Sequence, residues 1–136
     1  MPGNTAPIFS KAAKANWGTI TTANTAKDGT GTVVTVFTAD VTNGSTVIRI
    51  IARPLGTNVA SVLRIFLNNG LTNATAANNS LIDEIGLPAT TLTETAALIG
   101  QEKTLNMPIP LGYKIIVTIG TTVAAGHQVT VIGGDY

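Results

Sequence analysis

TVIRIIARPLGTNVASVLRIFLNNG, residues 46–70, is the stretch on which the reading of this chain turns. Two runs of β-branched and aliphatic residues, 47–53 and 59–67, flank Pro54-Leu55-Gly56-Thr57-Asn58, which has the composition of a turn. The stretch therefore predicts a β-hairpin. Successive strand side chains alternate faces, so Ile48, Ile50 and Ala52 share one side of the first run, and Val47, Arg49, Ile51 and Arg53 share the other. In the second run Leu63, Ile65 and Leu67 oppose Val62, Arg64 and Phe66. Each strand thus has one apolar face suited to a core and one that mixes arginine with bulky apolar groups. That mixed face is too apolar for ordinary solvent: either long arginine stems cover it or another chain does. Arg49, Arg53, Arg64 and Phe66 are accordingly the candidate subunit contacts.

The same signals recur on both sides. Residues 17–23 alternate Trp17, Thr19 and Thr21 with Gly18, Ile20 and Thr22, and residues 24–31 are rich in turn formers. Residues 31–39, GTVVTVFTA, read as a strand with Val34 and Val36 opposite Val33, Thr35 and Phe37. Asn43-Gly44 is a strong hairpin signal leading into the opening stretch. Beyond it, residues 71–80 form a polar surface loop, 81–87 a strand, and 88–100 a segment where strand is favoured over short helix. Residues 102–107 are extended up to a stiff turn at Pro108-Ile109-Pro110-Leu111-Gly112. The last strands are 113–119, with Ile115, Val117 and Ile119 on one face, and 128–132, with Val129 and Val131 together. Seven to nine short strands joined by Gly, Pro and Asn turns imply an all-β antiparallel sandwich with jelly-roll or other Greek-key connections.

The first residues differ in kind. Residues 1–15 hold two prolines, a glycine and small residues, with Ile8 and Phe9 the one bulky apolar pair before Trp17. They read as an extended N-terminal arm (1–15) ahead of a sandwich domain (16–136). The competing reading is a short helix over residues 10–15 capped by Ser10, which would carry Lys11 and Lys14 on one side. Ile8, Phe9, Lys11, Lys14 and Trp17 are the candidate contacts of a partner-gripping arm. No charged start followed by an apolar run and a small-residue cleavage site is present, so no signal peptide is expected.

Composition narrows the function classes. Only 11% of the 136 residues are charged, so the exterior has little ionic cover, which favours a subunit buried in a larger assembly. Net charge is +1 without a Lys/Arg run, and aromatic residues are 4%, which argues against phosphate tracking and base stacking, and hence against nucleic acid. No apolar run approaches the roughly 20 residues of a membrane-crossing helix. The absence of cysteine excludes disulfides, thiolate metal sites and cysteine nucleophiles. His127 is the single histidine, whereas a zinc site takes three or four such ligands, and no nucleophile-elbow pattern accompanies it. Asp83 and Glu84 are adjacent and so point to opposite faces of a strand. Asp28-Gly29-Thr30-Gly31 lacks the lysine and helix of a phosphate loop. Neither an enzyme nor a cofactor is expected. The three Asn-x-Ser/Thr sequons, at Asn43, Asn73 and Asn78, are what a threonine-rich chain holds by chance.

ANTAKDGTGTVVTVFTA, VIRIIARPLGT, VLRIFLNNG, IPLGYKIIVTIG and the terminal GGDY, in that order, resemble small β-sandwich virion proteins of tailed bacteriophages, most of all capsid cement or decoration proteins. The resemblance runs from about Asn24 to Tyr136 and is one of strands and turns, with no catalytic signature. It implies a structural virion protein at the capsid surface, made in the host cytoplasm, that reinforces the shell by contacts with the major capsid protein and with itself, often as a homotrimer. A tail, fibre or neck component would share the pattern. A carbohydrate-binding sandwich is the alternative outside virion structure and would need exposed aromatic side chains.

Overall fold

The computed structural model describes residues 9–136. Eight strands form two four-stranded antiparallel sheets packed face to face: β1 (Ala12–Ile20), β2 (Val34–Thr38), β3 (Ser45–Pro54), β4 (Ser61–Asn68), β5 (Asn79–Leu87), β6 (Gln101–Ile109), β7 (Lys114–Ile119) and β8 (His127–Asp135). One sheet has the order β1-β8-β3-β6 and the other β2-β7-β4-β5. The first strand pairs with the last, the second with the seventh, the third with the sixth and the fourth with the fifth. That nested pairing is the chain path of a jelly roll, one long ribbon rolled so that its limbs alternate between sheets.

The opening stretch is not a hairpin. β3 lies in the first sheet and β4 in the second, so residues 55–60 carry the chain across the sandwich. Turn formers mark a change of direction without naming the strand's partner, and here the pairing that wins is long-range. The link is held by Asn58, whose side chain accepts from Ala125 N (2.9 Å) and Gly126 N (3.2 Å) and donates to Gly126 O (2.9 Å). Asn43-Gly44 likewise turns the chain from one sheet to the other. Asp40 Oδ2 accepts from Thr42 N and Asn43 N, and Gly44 takes φ 78° where an added Cβ would lie 2.8 Å from Ile109 O.

Strict alternation holds in some strands and fails in others. Leu63 and Ile65 of β4, Ile115, Val117 and Ile119 of β7, and Val129 and Val131 of β8 all point into one core, as expected. In β3 the register shifts between Val47 and Arg49, so Val47 and Ile50 are buried while Ile48 is 48% exposed, the reverse of its expected place. Gly133 of β8 faces this bulge: a Cβ there would sit 2.0 Å from Thr46 O. A similar shift between Thr35 and Phe37 of β2 turns Phe37 into the core.

Two boundaries differ from expectation. Residues 88–100 form a loop, pinned by an isolated antiparallel bridge between Asn58 and Thr90, because no neighbouring strand is left for them to pair with. Residues 12–15 belong to β1, so the sandwich begins inside the expected arm, and the helix over residues 10–15 does not form. Pairing with β8 satisfies more backbone there than one isolated helical turn would. Ile8 lies outside the described residues.

Candidate interaction surfaces

The two sheets are covered unequally. On the outer side of the second sheet, Val33 and residues 71–73 lie against Thr35, Asn68, Lys114 and Ile116, and asparagines tie this cover together. Asn73 Nδ2 donates to Gly29 O (3.1 Å) and Gly31 O (2.9 Å), Asn79 Nδ2 to Asp28 O (3.0 Å), and Asn68 Nδ2 to Asn79 Oδ1 (2.8 Å). Residues 71–80, expected as a plain polar loop, thus contain a built cap with a short turn at Ala76–Asn78. Phe66 and Ile116, opposite each other on β4 and β7, are buried outside the main core cluster, 0% and 2% exposed.

The outer side of the first sheet is open. Its rows follow from the register: Thr19-Gln128-Arg53, then Trp17-Thr130-Ile51-Glu102, then Ala15-Ile132-Arg49-Thr104. Trp17 stands 63% exposed at the margin of this surface. Arg49 Nη1 meets Glu102 Oε1 at 3.2 Å in the open, a pair worth about 0–1 kcal/mol to stability. Arg53 passes over Gly100, where an added Cβ would lie 2.5 Å from its Cδ. The loop 88–100 adjoins β6 and exposes Leu92 and Ile99, with a shallow apolar recess between Pro88, Ala89, Leu98 and Ile99.

The four residues expected on one mixed face do not share a surface. Arg49 and Arg53 belong to the open sheet, whereas Arg64 and Phe66 belong to the capped one. Arg64 Nε contacts Glu84 Oε1 at 3.2 Å, its Nη1 is buried without a hydrogen-bond partner, and Phe66 has no exposed area to offer. The two sheets were indistinguishable by alternation alone.

The candidate arm contacts also divide. Phe9 is 74% exposed and Lys11 is exposed. Lys14 instead turns inward, where Nζ donates to Thr38 O (2.5 Å), pairs with Asp135 Oδ1 (3.2 Å) and lies 5.0 Å from the centre of the Phe37 ring. Ser45 Oγ donates to the same Asp135 oxygen and accepts from Asp40 N. Ser45 first, and Lys14 with it, hold the Asp135 carboxyl below its ordinary pKa. Lys14 is therefore a fastening of β1 to β2, β3 and β8. Its partner lies 121 positions away, and nothing local in the sequence announces the pair.

Among the described residues no group of three or more His, Cys, Asp or Glu is placed to hold a metal ion. His127, at the start of β8, is 1% exposed, with neither ring nitrogen hydrogen-bonded, and burial lowers its pKa. No helix among the described residues is long and apolar enough to cross a membrane.

No family model matches the chain, and no curated protein matches it. Among solved structures, the chain is similar to one in the structure of infectious bursal disease virus, Gx strain, at 13% identity and a TM-score of 0.30. The match covers 97% of this chain and 36% of that one, so the present chain spans about a third of the viral chain's length.

Proposed function

We propose that this protein is a structural component of a tailed-phage particle, a cement or decoration protein that reinforces the capsid by binding the major capsid protein and copies of itself, without a chemical step. The observation that supports this reading is the open first sheet with its adjoining loop. Trp17, Ile48, Leu92 and Ile99 are each about half exposed or more, on a surface whose charges include the Arg49–Glu102 pair and Arg53. Exposed apolar side chains with so little ionic cover are stabilised by a protein partner. The capsid surface is the proposed location and a trimer the proposed state.

Purified chain is mixed with assembled shells of the major capsid protein and sedimented. Binding should saturate at a fixed copy number per shell subunit, and Trp17→Ala should weaken it about tenfold or more, as loss of a large aromatic contact does. Absence of co-sedimentation at tens of micromolar would remove the reading.

A second reading has its own observation. Trp17 shares the open sheet with Gln128, Thr130 and Arg53, an aromatic plane beside hydrogen-bonding groups, as a sugar ring requires. Because Trp17 is the sole tryptophan, a glycan seated on it would change the intrinsic fluorescence directly.

A further inference from the structure

A sandwich has four edge strands, and here three of them are blunted. β2 is 5 residues long and irregular between Thr35 and Phe37. β5 carries Asp83 and Glu84 and is paired with a register shift. β6 carries Glu102, Lys103 and Pro108, shifts register against β3, and contains Asn106 at φ 44°. Charge, proline, bulges and brevity are the devices that keep a sheet edge from pairing with another chain.

β1 has no proline, no bulge and no shortness, and only one charge. It runs 9 residues, AAKANWGTI, in unbroken register with β8. Its single charge, Lys14, is turned into the subunit and neutralised by Asp135. On its other side no backbone hydrogen bond links it to a further strand among the described residues. Asn16, at its midpoint, is half-buried and makes no side-chain hydrogen bond to another described residue.

We propose that the free edge of β1 pairs antiparallel with β1 of a second copy about a two-fold axis at Asn16, joining two four-stranded sheets into one of eight strands. The strand is complementary to itself in that register. Asn16 faces its counterpart, and an amide both donates and accepts, so the two side chains satisfy each other. Trp17 stands opposite Ala15 of the other copy, large against small on the open face, and Lys14 stands opposite Gly18. No like charges meet, whereas β5 would bring Asp83 onto such an axis against its own copy. A single edge used by both partners gives a closed, isologous contact. The contact does not depend on the virion reading; if the copies also form the trimer proposed above, the two-fold contact doubles that trimer.

The test is the solution mass of the full chain by light scattering, for wild type and for Asn16→Asp and Asn16→Lys. Wild type should have an even number of chains, and each variant alone should have half the wild-type mass, because like charges then meet on the axis. Mixing the two variants in equal amounts should restore it. Circular dichroism melts confirm that the variants fold. Hydrogen exchange on wild type supplies a measurement without mutation: β1 edge amides should be protected at high concentration and lose protection on dilution, while β8 is unchanged. An odd number of chains, equal masses for all forms, or concentration-independent exchange in β1 would each overturn the proposal. Shell binding is read separately, so failure of one result leaves the other standing.

Discussion

His127 enters the core at the start of β8 with both ring nitrogens unpaired, and burial favours its neutral form. In the unfolded chain the ring titrates near 6.5. Because the folded pKa is lower, the unfolded state binds the proton first, so stability is independent of this group above about pH 6.5 and falls as pH drops below it. The slope from one such group is at most about 1.4 kcal/mol per pH unit. His127→Phe, which fills a similar volume, should flatten urea midpoints between pH 7 and 5 relative to wild type. Equal slopes in the two proteins would show that the imidazole takes up a proton as readily in the folded state as in the unfolded chain. Asp135 contributes with its own sign and window. Its carboxyl is held below the ordinary value, first by Ser45 and then by Lys14, so its contribution is present above about pH 4 and is lost as pH falls further. The acid limb of wild type should therefore bend twice, and Ser45→Ala should soften only the lower bend.

Among the elements, the strands whose alternation survives are those that were legible. β7 and β8 lie inside their sheets between two partners each, and Ile115, Val117, Ile119, Val129 and Val131 all reach the expected core. β3 also lies inside its sheet, yet its bulge at Val47/Arg49 exchanges the faces of Val47 and Ile48. The fit to Gly133 and to β6 imposes that bulge, and neither is near β3 in sequence. The same limit hid the crossing at residues 55–60, where Pro54 and Gly56 suggested a hairpin, while the partners that hold Asn58 lie at Thr90, Ala125 and Gly126. Of the candidate surfaces, Trp17 was legible as a lone large aromatic, but the division of Arg49 and Arg53 from Arg64 and Phe66 required the sheet assignment. Asn58→Ala should test the crossing. It leaves Ala125 N–H and the Gly126 N–H and C=O without that side chain in a site where Asn58 is 3% exposed. A loss of about 2–4 kcal/mol in urea unfolding is expected. Thr90→Val removes the hydroxyl bond to Gly56 O and should cost about 1 kcal/mol. If both substitutions cost the same, the asparagine is not what holds the two sheets' connection.

At the scale of the whole molecule, the nested pairing places the first strand against the last: Ala12 pairs with Asp135, and Ile20 with His127. Only β4 and β5 are both consecutive and paired, so nearly every ladder closes a long loop before any contact offsets its entropy. Such a chain should refold in milliseconds to seconds, at the slow end for its size. Trp17 makes the order of events measurable, because it sits on β1, whose pairing with β8 encloses the entire chain, and no other tryptophan contributes signal. The β4–β5 ladder with its asparagine-tied cap is the most local unit and is expected to form first, with β1 docking onto β8 last. Tryptophan fluorescence should then lag the far-ultraviolet circular dichroism change in stopped-flow refolding. Phe66→Leu, in the early unit, should slow the dichroism phase, whereas Gly18→Ala, which would bring a Cβ to 2.6 Å from Val34 Cγ1 in the late unit, should mainly speed unfolding. Coincident phases in wild type would instead mean that β1 closes with the core in one cooperative step. The free edge of β1 would then appear only in a sandwich that is otherwise complete, which limits the time in which it could pair wrongly.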